Sequence, residues 1–233
     1  MTDNIIVLDK NNHKNLRIKA NKNFKQAEKQ HLALLQAHEF TAAALYYPIA
    51  FIKDSSTGQF ISVTLLGLQP DENLFYSDEQ WDAAYIPRSL RGYPFLIAPE
   101  TKSLCVDVNS GLVNEVEGEK LFNEDSTETE YLKGIKELLS TFTSQTPETR
   151  AFIDFLSIKN LLTSLTLTIQ DNDRDGGEYQ LTGIYAVDNT KLNTLNDSEF
   201  LTLKNKNYLA PIYAHLLSLG LVSSLIQRKT ARK

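Results

Sequence analysis

The run from Tyr208 to Ile226, YLAPIYAHLLSLGLVSSLI, holds no Asp, Glu, Lys or Arg across 19 residues. A stretch of that length and composition has to leave water, either as a buried core helix or as a membrane span. Basic residues flank it, at Lys206 and at Arg228 and Lys229. Pro211, His215 and three serines inside it weigh against insertion. A closing apolar helix packed on the protein is therefore the expectation. The alternatives are a surface-layer or membrane-associated structural role for 208–226, or a homo-oligomer interface, which looks the same in sequence.

The remaining composition narrows the class. A chain of 233 residues suits one large domain or two small ones. A net charge of -5 argues against a general nucleic-acid binder. The N-terminus MTDNIIVLDK lacks the apolar core of a secretory signal, so a cytoplasmic location is expected. A single cysteine, Cys105, rules out an intramolecular disulfide and multi-cysteine zinc sites. Its setting, SLCVDV, is that of a buried strand residue.

Read for organisation, the chain predicts an α+β fold: a mixed or antiparallel sheet with hairpins, packed by helices and closed by the apolar C-terminal helix. Residues 1–23 read as a mobile basic segment, with a short strand at NIIVLD. Residues 24–145 form an N-terminal α+β region, and 146–233 a C-terminal region that can share a domain with it. The segment from Phe24 to Tyr47 is helix-prone up to Pro48, with a break near Ala37–Glu39. Ile49–Lys53 and Phe60–Leu66 read as a hairpin around DSSTG. DEQWDAAY reads as a helical turn or two, PRSLRG as one more turn, and YPFLIAP as extended. SLCVDVNSGLVNEVEGEKLF reads as a hairpin around NSG. Two helical segments follow, one capped by Thr127 with Glu130, the next restarting at Thr146 and Pro147. A hairpin over 164–187 and short closing helices complete the chain.

Metal and nucleotide motifs are scarce. DNDRDGGEYQLT opens like an EF-hand loop, with Asp171, Asp173, Asp175 and Gly176 in place, but Thr182 stands where the bidentate Glu belongs. A solvated hairpin turn is the simpler reading. His31 and His38 are seven apart, not the four that zinc chemistry on one helix prefers, and His215 reads as a satisfied core residue. No phosphate-binding glycine loop, dinucleotide fingerprint or nucleophile elbow occurs. No metal and no cofactor is expected.

The richest stretch is WDAAYIPRSLRGYPFLIAPE, Trp81 to Glu100. Rings beside guanidinium groups three residues apart can grip a carboxylate, a phosphate or a peptide through forked hydrogen bonds and stacking. Trp81, Tyr85, Arg88, Arg91 and Tyr93 are thus the candidate ligand-binding residues. The same rings and prolines can equally brace a core. For an enzyme acting on a peptide or amino acid, His38 or Glu39 is the candidate base.

The runs EFTAAALYYPIAF, LLGLQPDENLF, WDAAYIPRSLRGYPFLIAP, LCVDVNSGLV, GEKLFNEDSTETEYL and LTGIYAVDNTKLNTLNDSEF together resemble the bacterial SapC family. The resemblance implies hallmark positions at Glu39, Pro48, Gly67, Asn73, Trp81, Tyr85, Pro87, Arg91, Pro94, Phe95 and Asp107, with Gln80 where the pattern has Gly. It implies an association with surface-layer genes. Its implied partners are a TonB-dependent receptor system, flavin-dependent halogenase-like proteins and cupin-like proteins. Some members carry a permease label, but one apolar segment cannot build a permease bundle. The combined expectation is a non-catalytic accessory protein that binds a peptide, a partner protein or a carboxylated ligand, with no nucleic acid involved.

Overall fold

The structure is a computed structural model describing residues 4–171 and 177–232. The EF-hand-like loop, with Asp173, Asp175 and Gly176, lies outside the described residues. In chain order the elements are β1 (Ile5–Val7), β2 (Arg17–Ile18), β3 (Leu32–Leu34), α1 (Phe40–Ala43), β4 (Ile49–Lys53) and β5 (Phe60–Leu65). Next come β6 (Tyr76–Ser77), β7 (Gln80–Trp81), α2 (Arg88–Arg91), β8 (Phe95–Ile97), β9 (Leu104–Asp107), β10 (Val113–Asn114) and β11 (Glu119–Lys120). The chain closes with α3 (Glu130–Ile158), β12 (Leu162–Asp171), β13 (Gly177–Val187), α4 (Asn189–Asn193), α5 (Asp197–Asn205), α6 (Leu209–Ser218) and α7 (Val222–Ala231). Helices and antiparallel sheets make this an α+β protein, and the apolar C-terminal segment is helical, as expected.

Two compact units share the chain. Unit 1 comprises Met1–Gln26 and Arg88–Ser144; unit 2 comprises Ala27–Pro87 and Gln145–Lys233.

Unit 1 holds two small sheets, ordered β1-β9-β8 and β10-β2-β11. The strand read at NIIVLD forms, with Ile5–Val7 pairing with Asp107–Cys105, and the rest of the segment expected to be mobile is also built in, Ile18 lying opposite Val113 and Glu119. The reason is burial. Ile18 is 1% exposed and sits in one core with Phe95, Leu104, Val106, Leu121, Leu132 and Leu139. Because these N-terminal strands supply partners, β9 and β10 do not pair with each other, and the hairpin expected around NSG is not formed. Helix α3 begins with Thr129, whose hydroxyl accepts from the Leu132 N–H (3.3 Å), not with Thr127. The Thr127 hydroxyl is taken by Asp125 (2.6 Å) in the preceding turn. Gly92 lies where any Cβ would fall 2.5 Å from Leu139 Cδ2, so α2 ends hard against α3.

Unit 2 is built on a five-stranded antiparallel sheet, β12-β13-β4-β5-β3. The β4–β5 hairpin follows the sequence reading. Its turn is held by the Asp54 carboxylate, which accepts from Ser56 and Thr57, and by Gly58 at φ 68°. Those hydrogen bonds, the Ser56 hydroxyl first, draw the Asp54 carboxyl down to about 2. Two expectations fail here. The helix expected from Phe24 is interrupted by β3, where Ala33 is buried and Leu34 is half exposed, because this short run caps the free edge of β5. The helix expected to restart at Thr146 never stopped: α3 runs unbroken through Pro147. Burial of Leu132 and Leu139 before the proline, and of Phe152, Ile153 and Leu156 after it, outweighs the one backbone bond that proline removes.

Phe40, Phe51 and Phe152 form the centre of this unit, with ring centroids 6.0–6.4 Å apart. His215 of α6 packs its ring on Phe51 (5.1 Å) and is fully buried. Its Nε2 accepts from the Val187 N–H (3.0 Å), which leaves Nδ1–H to donate to the Ile49 carbonyl (3.0 Å). The imidazole is thereby fixed neutral, and burial holds its pKa down at about 4.

Candidate binding site

The motif from Trp81 to Tyr93 divides at Pro87 between the two units. Trp81 does not sit on a helical turn. Asp78 and Glu79 both adopt positive φ (49° and 58°), giving the tight turn of a hairpin in which Tyr76 pairs with Trp81. Gln80, where the resemblance implies Gly, is extended and exposed opposite Ser77, so a glycine's conformational freedom is not called on there.

Within unit 2, Trp81, Tyr47, Tyr85 and Glu39 are linked by hydrogen bonds. Trp81 Nε1–H donates to Tyr47 Oη (2.9 Å), and the Tyr47 hydroxyl donates to the Tyr85 carbonyl. The Tyr85 hydroxyl donates to Glu39 Oε1 (2.7 Å), and the Gln36 N–H donates to Glu39 Oε2 (3.0 Å). Glu39 is 2% exposed and Tyr47 fully buried. Each Glu39 carboxylate oxygen thus receives a donor from inside the protein. Asn73 is a second brace: its amide donates to the Ala27 carbonyl (2.7 Å) and accepts from the Phe75 N–H (2.9 Å). At Gly67 a Cβ would meet the Glu72 carbonyl oxygen at 2.2 Å.

The C-terminal helix grips the same hairpin. Arg228 lies over the Phe75 ring (4.4 Å to the centroid) and pairs with Asp82 (2.6 Å). Lys229 pairs with Glu72 (2.6 Å), and Arg232 donates to the carbonyls of Asn73 and Tyr76 (2.6 and 2.7 Å). Leu209–Ala231 is long and apolar enough to cross a membrane by length and composition, with a third of its most apolar window buried.

In unit 1, Arg88 and Arg91 lie on α2, Arg91 exposed. Tyr93 donates its hydroxyl to Asp107 Oδ2 (3.0 Å), and the Pro94 carbonyl accepts from the Asp107 N–H (2.9 Å). Burial first, and the Asp107 carboxylate second, push the Tyr93 phenol up to about 12.

Unit 1 also carries a groove of about 1160 Å³. Its apolar lining comes from Val7, Leu8, Ile97, Leu104, Phe122 and Leu132, and its rim carries Lys10, Lys102, Lys133 and Lys136. Lys133 is paired with Glu130 (2.6 Å) and Lys136 with Glu128, whereas Lys10 and Lys102 carry no ion pair among the described residues. Asp9, also on the rim, has its Oδ1 taken by the Asn11 and Asn12 N–H groups (2.9 Å each). Sequence reasoning missed this groove because its lysines come from separate segments and follow no motif.

A smaller cleft of about 490 Å³ lies in unit 2, lined by His38, Thr41, Glu148, Phe152, Lys206 and Tyr208 among others. His38 Nε2 is 2.6 Å from Glu148 Oε2. Trp81 lines neither the groove nor this cleft. Among the described residues no group of three or more His, Cys, Asp or Glu is placed to hold a metal ion.

A sequence model of one family, described as SapC, matches residues 8–225. No curated protein and no solved structure matches the chain.

Proposed function

The chain belongs to the SapC family, and from that premise we propose that it is a non-catalytic accessory protein that holds an extended, carboxylate-bearing peptide segment of a partner in the unit 1 groove. The observation that carries this reading is the groove's lining: an apolar floor under a lysine rim on which Lys10 and Lys102 have no ion pair. Its volume of about 1160 Å³ exceeds the ~300–1000 Å³ of small-molecule sites, leaving room for a segment of chain. The chain as a whole is acidic at -5, so a cationic rim is a local feature that selects anionic groups by charge complementarity. Trp81 and Tyr85 serve as braces in this reading, and Arg88, Arg91 and Tyr93 stand on the unit that carries the groove. The basic end of the C-terminal helix, held by Asp82 and Glu72, supports a helix packed on protein over one laid on lipid.

The test is fluorescence anisotropy with labelled peptides of alternating Leu and Glu, beside Leu/Lys and Leu/Ser controls. Peptides from halogenase-like, cupin-like and receptor proteins come next. Binding of the acidic peptide alone is expected, weakened by salt and by at least ~10-fold in the Lys10→Glu, Lys102→Glu double variant. Equal binding of all three peptides, or of acidic peptide by the double variant, ends the proposal.

A second reading, an enzyme acting on a peptide or amino acid, has one observation in its favour. His38 is oriented by Glu148 at the mouth of the unit 2 cleft. Mass spectrometry of a peptide pool incubated with wild type and His38→Ala separates the readings: a product made only by wild type would favour the enzyme.

A further inference from the structure

β12 is one edge of the five-stranded sheet, so among the described residues no strand lies beside the backbone groups along its outer side. Natural edge strands are guarded by lysine, proline, a bulge or short length. β12 is ten residues long, and from Leu162 to Gln170 it reads LTSLTLTIQ, with neither charge nor proline. Charged residues make up 23% of the chain, so nine uncharged residues in a row on a sheet edge stand out against its composition. The bulge in this hairpin falls on the inner strand: pairing advances two residues from Leu165 to Leu167 but three from Ile184 to Leu181, with Gly183 at φ 78° beside the extra residue. The opposite edge, β3, is only three residues long.

We infer that β12 pairs antiparallel with β12 of a second copy about a twofold axis at Thr166, joining two five-stranded sheets into one. The strand's own pattern selects that occupant. In this register Thr166 meets its twin, Ser164 meets Thr168, and Leu165 meets Leu167. Ser164, Thr166 and Thr168 are exposed, while Leu165 and Leu167 are half-buried on the other face. Hydroxyl thus faces hydroxyl and leucine faces leucine on opposite sides of the joined sheet. A slip of one residue sets Leu165 against Thr166 and mixes the two faces, which disfavours the odd registers. No charge repels the twin strand. A second copy also arrives with its strand already ordered against β13, whereas a free peptide loses chain entropy on binding.

Sedimentation of the full chain over a concentration series is expected to show a monomer–dimer equilibrium. Thr166→Lys places two like charges opposite each other and should weaken dimerisation at least ~10-fold while the monomer melts normally. Thr166→Cys should close a disulfide between copies on oxidation, since directly opposed Cα atoms lie ~4.5–5.5 Å apart, within disulfide reach. Thr168→Cys should not, because the twofold sets those positions ~14 Å apart. The native Cys105 is buried and gives a clean background. A wild type that stays monomeric at every concentration reached overturns the inference. So does a dimer that survives Thr166→Lys and cross-links equally at both cysteine positions.

Discussion

The Trp81 brace in unit 2 and the lysine-rimmed groove in unit 1 differ in what their polar atoms touch. In the brace, indole, phenol and carboxylate are joined in sequence, Trp81 to Tyr47 to the Tyr85 backbone and Tyr85 to Glu39. In the groove, apolar side chains form a floor and two rim ammonium groups have no ion pair among the described residues. Of the residues that read as a binding motif, Trp81, Tyr85 and Tyr93 each donate their side-chain hydrogen to a group inside the protein. Chemical richness in a sequence marks where a fold is fastened as often as where it meets a ligand.

The comparison breaks most readily at Glu39. Truncation to alanine leaves the Tyr85 hydroxyl and the Gln36 N–H without their acceptor in a buried site. The expected loss in urea unfolding is ~3 kcal/mol, against ~1 for Glu39→Gln, which keeps the shape and one acceptor. Trp81→Ala should cost about as much as Glu39→Ala, through lost packing. A Glu39→Ala protein as stable as wild type would mean the carboxylate is not a brace and would return it to the list of catalytic candidates.

His215 is fastened in the same manner, and pH reads it. Its folded pKa of about 4 lies below the ordinary value of 6.5, so the unfolded chain takes up a proton that the native state refuses. Stability is therefore complete above pH 6.5 and falls as pH drops toward 4, by an amount approaching ~3 kcal/mol. Below that the native imidazole also charges and the loss levels off. Protonation at Nε2 would set a new N–H against the Val187 N–H. Urea melts across this window are expected to show the slope in wild type and lose it in His215→Gln. Equal slopes in both would assign the acid sensitivity elsewhere.

The fold was legible where structure is local. The DSSTG turn and the β-rich arms of 162–187 announce hairpins because turn residues and alternation lie within one short window. It was illegible where a distant partner decides. The strand at Leu32–Leu34 exists because β5 offers an edge, and Arg17–Ile18 because β10 and β11 close around it. The Trp81 hairpin was hidden by a turn made from Asp78 and Glu79 without glycine. As for the candidate site, the sequence singled out Trp81, Tyr85 and Glu39 but could not show that hydrogen bonds through Tyr47 and Tyr85 link them. The groove draws on residues 7–10, 97–104 and 122–144, a convergence that no spacing rule encodes.

Tyr93 and Asp107 give unit 1 its own small brace, and the effect there is expected to be lighter. Tyr93→Phe removes one partly buried hydrogen bond, for a loss of ~1 kcal/mol. The phenol's folded pKa of about 12 lies above its ordinary 10, so the unfolded chain gives up the proton first, and stability contributed by the protonated phenol is lost as pH rises past 10. Absorbance titration of wild type against Tyr93→Phe should show one tyrosine ionising late. Its absence would detach Tyr93 from Asp107.

The smallest expected change in stability separates the two regions most cleanly. Lys10→Glu with Lys102→Glu alters exposed side chains that make no ion pair among the described residues, so unfolding should shift by less than ~0.5 kcal/mol. Net charge moves from -5 by four units to -9, which adds some self-repulsion but breaks no ion pair among the described residues. A brace residue changed this drastically would unfold the protein; a groove residue should change only what the protein holds. If the double variant melts like wild type yet loses the acidic peptide, stability and binding reside in different parts of the chain. If it unfolds, the lysines are holding unit 1 together, and the rim is a second brace.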